Sequence, residues 1–227
     1  MKNKSEMNTL RYMIHRLKGQ IFETRMFYFN CSNDMSFDSF RKYVSRLVEE
    51  KELIQIAKGI YYIGDQLPEN IGELVQDYFL SDTGSCYGGE TLLYYLGISE
   101  KEPKEVVILN SHISSNKNIW NMIIKKVPPF PGTTAERELF ELLSLQHLID
   151  DNNDDMKAMY AKEVAERLPN SQSEWNLFMS RLKCSEIVYP RIVYFRLAEY
   201  IKPLHISNEV MEWYESKISS SKNPSRI

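Results

Sequence analysis

The chain has 227 residues, 43% of them apolar and 26% charged, the proportions of an ordinary soluble globular protein with room for one large or two small cores. No apolar run approaches the ~20 residues that a membrane span requires, and the first residues lack the hydrophobic core of a signal peptide, so a cytoplasmic location is expected. The formal charge of −3 hides an asymmetry: residues 1–66 carry 11 Lys+Arg against 8 Asp+Glu, a net of +3, and the remainder is acidic at −6. That modest basic field is weaker than a freestanding non-specific DNA binder needs, so useful affinity would call for two copies or a second segment. Cys31, Cys86 and Cys184 and the four histidines are scattered, without CxxC or HExxH spacing. Neither a disulfide framework nor a metal site is encoded, and no cofactor is expected.

In chain order, residues 5–18 read as a first helix with Leu10, Met13, Ile14 and Leu17 on its apolar face, stopped by Gly19. A short helix over 23–29 follows, with Phe22, Met26, Phe27 and Phe29 as core, then a polar turn over 30–34. From Ser36, Phe37, Phe40, Val44, Leu47 and Val48 recur at helical spacing, with Ser36 as N-cap and Asp38 in the first turn, where the helix dipole favours a carboxylate. The opposite face holds Ser39, Arg41, Lys42, Ser45 and Arg46. The period then becomes extended over 53–57 and 60–63, joined by Lys58-Gly59, which predicts a hairpin with a lysine at its tip. Three helices and a hairpin in about 65 residues are the inventory of a winged helix-turn-helix, in which the third helix enters the major groove and the hairpin lies against phosphates. Ser39, Arg41, Lys42, Ser45, Arg46 and Lys58 are therefore the candidate DNA-binding residues. Arg11, Arg16 and Arg25 read as solvated surface charge.

Residues 64–72, GDQLPENIG, form a linker candidate and divide the chain into domains at 1–66 and 67–227. Beyond it a helix over 73–80 leads to a small α/β unit. That unit comprises a short strand at 85–87, a Gly88-Gly89 turn, a helix over 90–96 stopped by Gly97, a buried strand over 105–110, a polar loop over 111–118, and a second extended run over 119–127 paired with the strand. Thr133 and Glu136 have capping-box spacing and open a helix running to Leu148. Four further helices are expected at 156–168, 173–183, 190–201 and 207–218, with a disordered tail. The fold class is thus α+β: an N-terminal winged helix, a small α/β unit and a helical C-terminal region.

Two stretches carry a family likeness. Ser45-Arg46-Leu47 with Lys58-Gly59-Ile60-Tyr61-Tyr62, and later Gly89-Glu90-Thr91-Leu92-Leu93-Tyr94-Tyr95-Leu96-Gly97-Ile98, resemble the AbiEi-type antitoxins and related regulators of bacterial abortive-infection systems, over residues 5–145. The resemblance implies a repressor that binds operator repeats in its own promoter, and a partner gene whose product is a nucleotidyltransferase-like toxin. It carries over to the same six residues. One departure is Glu50-Lys51-Glu52, where the family pattern is basic before the wing.

Catalysis finds little support in the residues. Gly84-Ser85 is followed by no Asp-x-Asp or Asp-x-Glu pair, and Glu102, Lys104 and Glu105 stand at a strand boundary where charges mark solvent. Asp150, Asp151, Asp154 and Asp155 lack the spacing of a calcium loop. The chain is expected not to be an enzyme. The reading from a different class is a protein-interaction module that grips a toxin or other partner through Tyr94, Tyr95 and the tyrosines over 189–200 without binding DNA.

Overall fold

The alternation of helical and extended periods in the sequence becomes a mixed α+β chain in the computed structural model, which describes residues 2–31, 35–184, 189–201 and 207–221. Among these residues there are ten helices and two small sheets. They fall into two compact units, Met1–Asp82 with Ile108–Lys126, and Thr83–Val107 with Val127–Ile227. The first unit is therefore larger than the 1–66 segment delimited by the linker, and it takes in a piece from the middle of the chain. The 67–227 segment is shared between both units.

The first unit opens with α1 (Lys2–Arg16), β1 (Ile21–Glu23), α2 (Thr24–Asn30), α3 (Phe37–Glu49), β2 (Leu53–Ala57) and β3 (Ile60–Ile63). Leu10 and Ile14 of α1, Phe22, Phe27, and Phe40, Tyr43, Val44 and Leu47 of α3 close over one core. Each such side chain, fully buried, contributes roughly 1.5–3 kcal/mol. Two residues expected there, Met13 and Phe29, are exposed. Strand β1 was not foreseen, because three residues are too few to show a period. It pairs antiparallel with β3, Phe22 opposite Tyr61, giving the sheet order β1-β3-β2. Ser36 caps α3 by accepting from the Ser39 amide at 3.3 Å. At the other end Glu52 N donates to Leu47 O and Lys51 N to Val48 O, the Schellman pattern, with Lys51 at φ +60° where glycine is usual. Residues 32–34 of the expected polar turn and 222–227 of the tail expected over 219–227 lie outside the described residues, and the last helix runs on to Ser221 where that tail was expected to begin.

Helix α4 (Ile71–Leu80) belongs to the same unit because its Tyr78 hydroxyl accepts from the Glu23 amide at 2.9 Å. The strand β5 (Val106–Asn110) is tied to it at its far end, where Asn110 Nδ2 donates to Phe79 O and to Asp82 Oδ2, both at 2.8 Å. The single extended run expected over 119–127 is a hairpin instead. Strands β6 (Lys117–Ile119) and β7 (Met122–Lys126) pair antiparallel about Trp120-Asn121, with Trp120 at φ +52°, and β7 lies beside β5. The turn replaces two residues of what reads as continuous strand, and Trp120 is exposed at it.

The second unit holds β4 (Cys86–Tyr87), α5 (Glu90–Tyr95), the start of β5, α6 (Thr134–Leu145), α7 (Asp154–Arg167), α8 (Gln172–Cys184), α9 (Arg191–Ile201) and α10 (Ser207–Ser221). Thr91 Oγ1 accepts from Val107 N at 2.9 Å and donates to Glu105 O, which fixes α5 against the strand. The expected capping box forms: Thr133 Oγ1 accepts from Glu136 N at 3.2 Å and Glu136 Oε2 from Thr133 N at 2.7 Å. Leu139, Phe140, Leu142 and Leu143 of α6 are buried among Trp175, Phe178, Tyr194 and Leu197. Among the described residues no helix is long and apolar enough to cross a membrane.

Candidate functional site

The apolar stripe of α3 fixes where its polar side chains go. With about 100° of rotation per residue, burying Phe40, Tyr43, Val44 and Leu47 turns Asp38, Lys42, Ser45 and Glu49 furthest outward. All six residues nominated from the sequence, Ser39, Arg41, Lys42, Ser45, Arg46 and Lys58, are solvent-exposed. Beside α3 lies an open concavity of about 850 Å³ within the first unit. It is lined by Arg41, Lys42 and Ser45 of α3, by Lys58 and Tyr61 of the β2–β3 hairpin, by Arg25 at the start of α2, and by Ser114, Ser115 and Lys117. Five cations against two carboxylates, Glu23 and Asp38, make it basic.

The six do not form one cluster. Arg41, Lys42, Ser45 and Lys58 share the concavity, whereas Ser39 and Arg46 are not among its lining residues. Ser39 is occupied with the helix start, its hydroxyl accepting from Ser36 Oγ at 2.9 Å. Arg46 lies over the Tyr43 ring, 5.0 Å from its centroid, and 3.8 Å from Glu50. The acidic departure noted before the hairpin explains this second cluster: Glu50 and Glu52 are held by Arg11, at 2.9 Å for Glu50, and His15 approaches Glu52 at 3.3 Å. Arg11 and Arg46 thereby offset their charge. Arg41 lies 4.0 Å from Asp38, with both side chains largely in water, a pair worth little. Arg25, Lys42 and Lys58 have no carboxylate partner among the described residues. Burial pushes the Tyr61 phenol above its ordinary pKa, and Arg41 partly reverses this; Tyr61 acts here as a neutral wall.

The hairpin turn is anchored. Gly59, at φ +79°, accepts through its carbonyl from Thr24 N at 2.8 Å and Thr24 Oγ1 at 2.9 Å. Lys117 Nζ donates to Lys58 O at 3.3 Å. The same ammonium is 3.9 Å from Glu23, which is only 3% exposed. Glu23 also accepts from Met26 N at 2.9 Å as the N-cap of α2 and from Ser114 Oγ at 3.2 Å. No protein-family model matches this chain, and a search of curated proteins finds no match. The site therefore rests on its own geometry.

Sequence reasoning missed Arg25, Ser115 and Lys117 as members of the site. Arg25 read as solvated charge, and the other two fell in a polar loop assigned to another domain. The pairing of Lys117 with Lys58 and Glu23, residues 59 and 94 positions away, and the Ser114 bond to Glu23 bring that segment here. Among the described residues no group of three or more His, Cys, Asp or Glu side chains could hold a metal ion.

Proposed function

We propose that this protein is a sequence-specific DNA-binding repressor, that the segment from α1 to β3 is a winged helix-turn-helix, and that α3 is its recognition helix. The observation that carries the reading is the exposed basic concavity in which Arg41, Lys42 and Ser45 of α3 face the same space as Lys58 of the hairpin. The order helix, strand, two helices, then a hairpin whose inner strand pairs with the first strand also supports it. In this reading Arg41, Lys42 and Ser45 meet base edges and nearby phosphates in the major groove, and Lys58 grips the flanking backbone. Arg46 and Ser39, round the helix, reach only the adjoining phosphates. Repression is by occupancy, with no catalytic step. By its resemblance to AbiEi-type antitoxins the operator lies in its own promoter and the partner is a nucleotidyltransferase-like toxin.

The test is anisotropy titration of the full chain against labelled DNA from upstream of its gene, across about 50–200 mM salt. Replacing Arg41, Lys42 and Lys58 together by alanine removes three phosphate-proximal charges, so the slope of log K on log salt falls by about 2.7. Over that fourfold salt range the affinity difference between the two proteins then changes by about 40-fold. Absence of wild-type binding at low salt, or identical slopes, overturns the proposal. A second reading, contact with a protein partner without DNA, is favoured by Leu177, Ile192 and Phe195, each about half exposed on α8 and α9. Toxin neutralisation by a wild-type chain that binds none of the upstream DNA at low salt would support that reading.

A further inference from the structure

The concavity beside α3 has a wall that the winged-helix reading does not use. It consists of Arg25 on α2, Ser114 and Ser115 of the loop between β5 and β6, and Lys117 at the start of β6. This loop is built rather than loose. Asn110 Oδ1 accepts from His112 N at 2.8 Å and Ile113 N at 3.1 Å, and Asn116 Oδ1 accepts from Lys126 N at 2.8 Å. Ser114 is fixed to the buried Glu23, and Lys117 to the carbonyl of Lys58. Lys126 Nζ donates to Ser114 O at 3.3 Å and brings a further exposed cation to the loop. Thr24, next to Arg25, donates to Gly59 O, so the loop, the hairpin turn and the start of α2 form one hydrogen-bonded rim.

Charge on this rim is unevenly available. Lys117 faces Glu23 across 3.9 Å and its side chain is only 11% exposed, so its charge is largely offset. Arg25 and Ser115 are exposed, and Arg25 has no carboxylate partner among the described residues. A guanidinium and a hydroxyl that line the same concavity suit a phosphodiester, whose oxygens accept charge-assisted hydrogen bonds.

Resting on the DNA reading above, we propose that Arg25 and Ser115 form a second backbone clamp, which holds a phosphate of the same duplex that α3 reads. The clamp adds no charge to the +3 of residues 1–66, which already counts Arg25, but it places that charge on a phosphate and adds a hydroxyl contact from a second segment. It is blind to sequence, because a phosphate carries no base information.

The experiment compares wild type, Arg25→Ala, Ser115→Glu and Lys42→Ala, using labelled duplexes of the upstream DNA and of a scrambled sequence across about 50–200 mM salt. Arg25→Ala is expected to weaken both duplexes by the same factor and to lower the salt slope by about 0.9, so that its deficit changes about 3.5-fold over that range. Ser115→Glu weakens both duplexes further by repulsion, and Lys42→Ala weakens the upstream duplex more than the scrambled one. Thermal melts of the two rim variants match wild type, since both side chains are exposed. Wild-type slopes in both rim variants, with binding intact, overturn the clamp and leave α3 as the reader. No binding by wild type removes the DNA reading and the clamp with it.

Discussion

Glu23 and Lys117 offer the sharpest measure of how the β5–β6 loop is attached to the helices that precede it. The perturbation is a double-mutant cycle of Glu23→Gln and Lys117→Met, which removes each charge while keeping side-chain length. At 3.9 Å two unit charges attract by about 1 kcal/mol in a water-like medium and about 4 kcal/mol at an effective dielectric of 20. With side chains 4% and 11% exposed, the pair lies nearer the second limit before desolvation is subtracted. A coupling energy of about 2 kcal/mol is expected, each single variant costing roughly 2–3 kcal/mol because it strands the other charge. Glu23→Gln keeps an oxygen for the Met26 amide, so loss of the α2 cap does not confound the cycle. Urea unfolding followed by far-UV circular dichroism, with unchanged m-values, reads the four free energies. Additivity within about 0.5 kcal/mol would refute the claim that this ion pair fastens the loop.

Lys51 and Tyr78 carry two further stability predictions, the second touching Glu23 through its backbone amide. Lys51→Gly is expected to stabilise by about 1 kcal/mol, because φ +60° at the end of α3 strains an L-residue and suits glycine; a loss of stability in urea would mean that the lysine side chain outweighs the strain. Burial pushes the Tyr78 phenol up to about 12, its hydrogen bond from the Glu23 amide lowering it and the charges of Glu23 and Asp82 raising it. Since the folded state holds that proton more tightly than the unfolded one, the contribution is whole below about pH 10 and is lost as pH rises towards 12, by roughly 2–3 kcal/mol in all. Tyr78→Phe should cost about 1 kcal/mol at neutral pH, for an amide left without its acceptor, and should flatten the alkaline fall in urea stability. An alkaline fall as steep as that of wild type would refute this assignment.

Helix and strand are legible in the residues wherever a period has room to show. Phe40, Val44 and Leu47 recur over a helix long enough to fix its buried face, and with it the exposure of Arg41, Lys42 and Ser45. Thr133 and Glu136 marked a helix start because a capping box is local chemistry. Lys58-Gly59 marked a turn because positive φ favours glycine. Three-residue β1 left no such trace, and Trp120 sits at positive φ without any glycine to announce the turn between β6 and β7. Membership of the site is set by contacts between distant parts of the chain. Arg25, Ser115 and Lys117 join Lys42 and Lys58 through bonds between residues far apart in the chain, where periodicity and capping carry no information. Tertiary structure also separated Arg46 from the others, because a helix of 3.6 residues per turn aims each side chain in a different direction, and only the neighbours around α3 make one direction a groove and another an ion-paired flank.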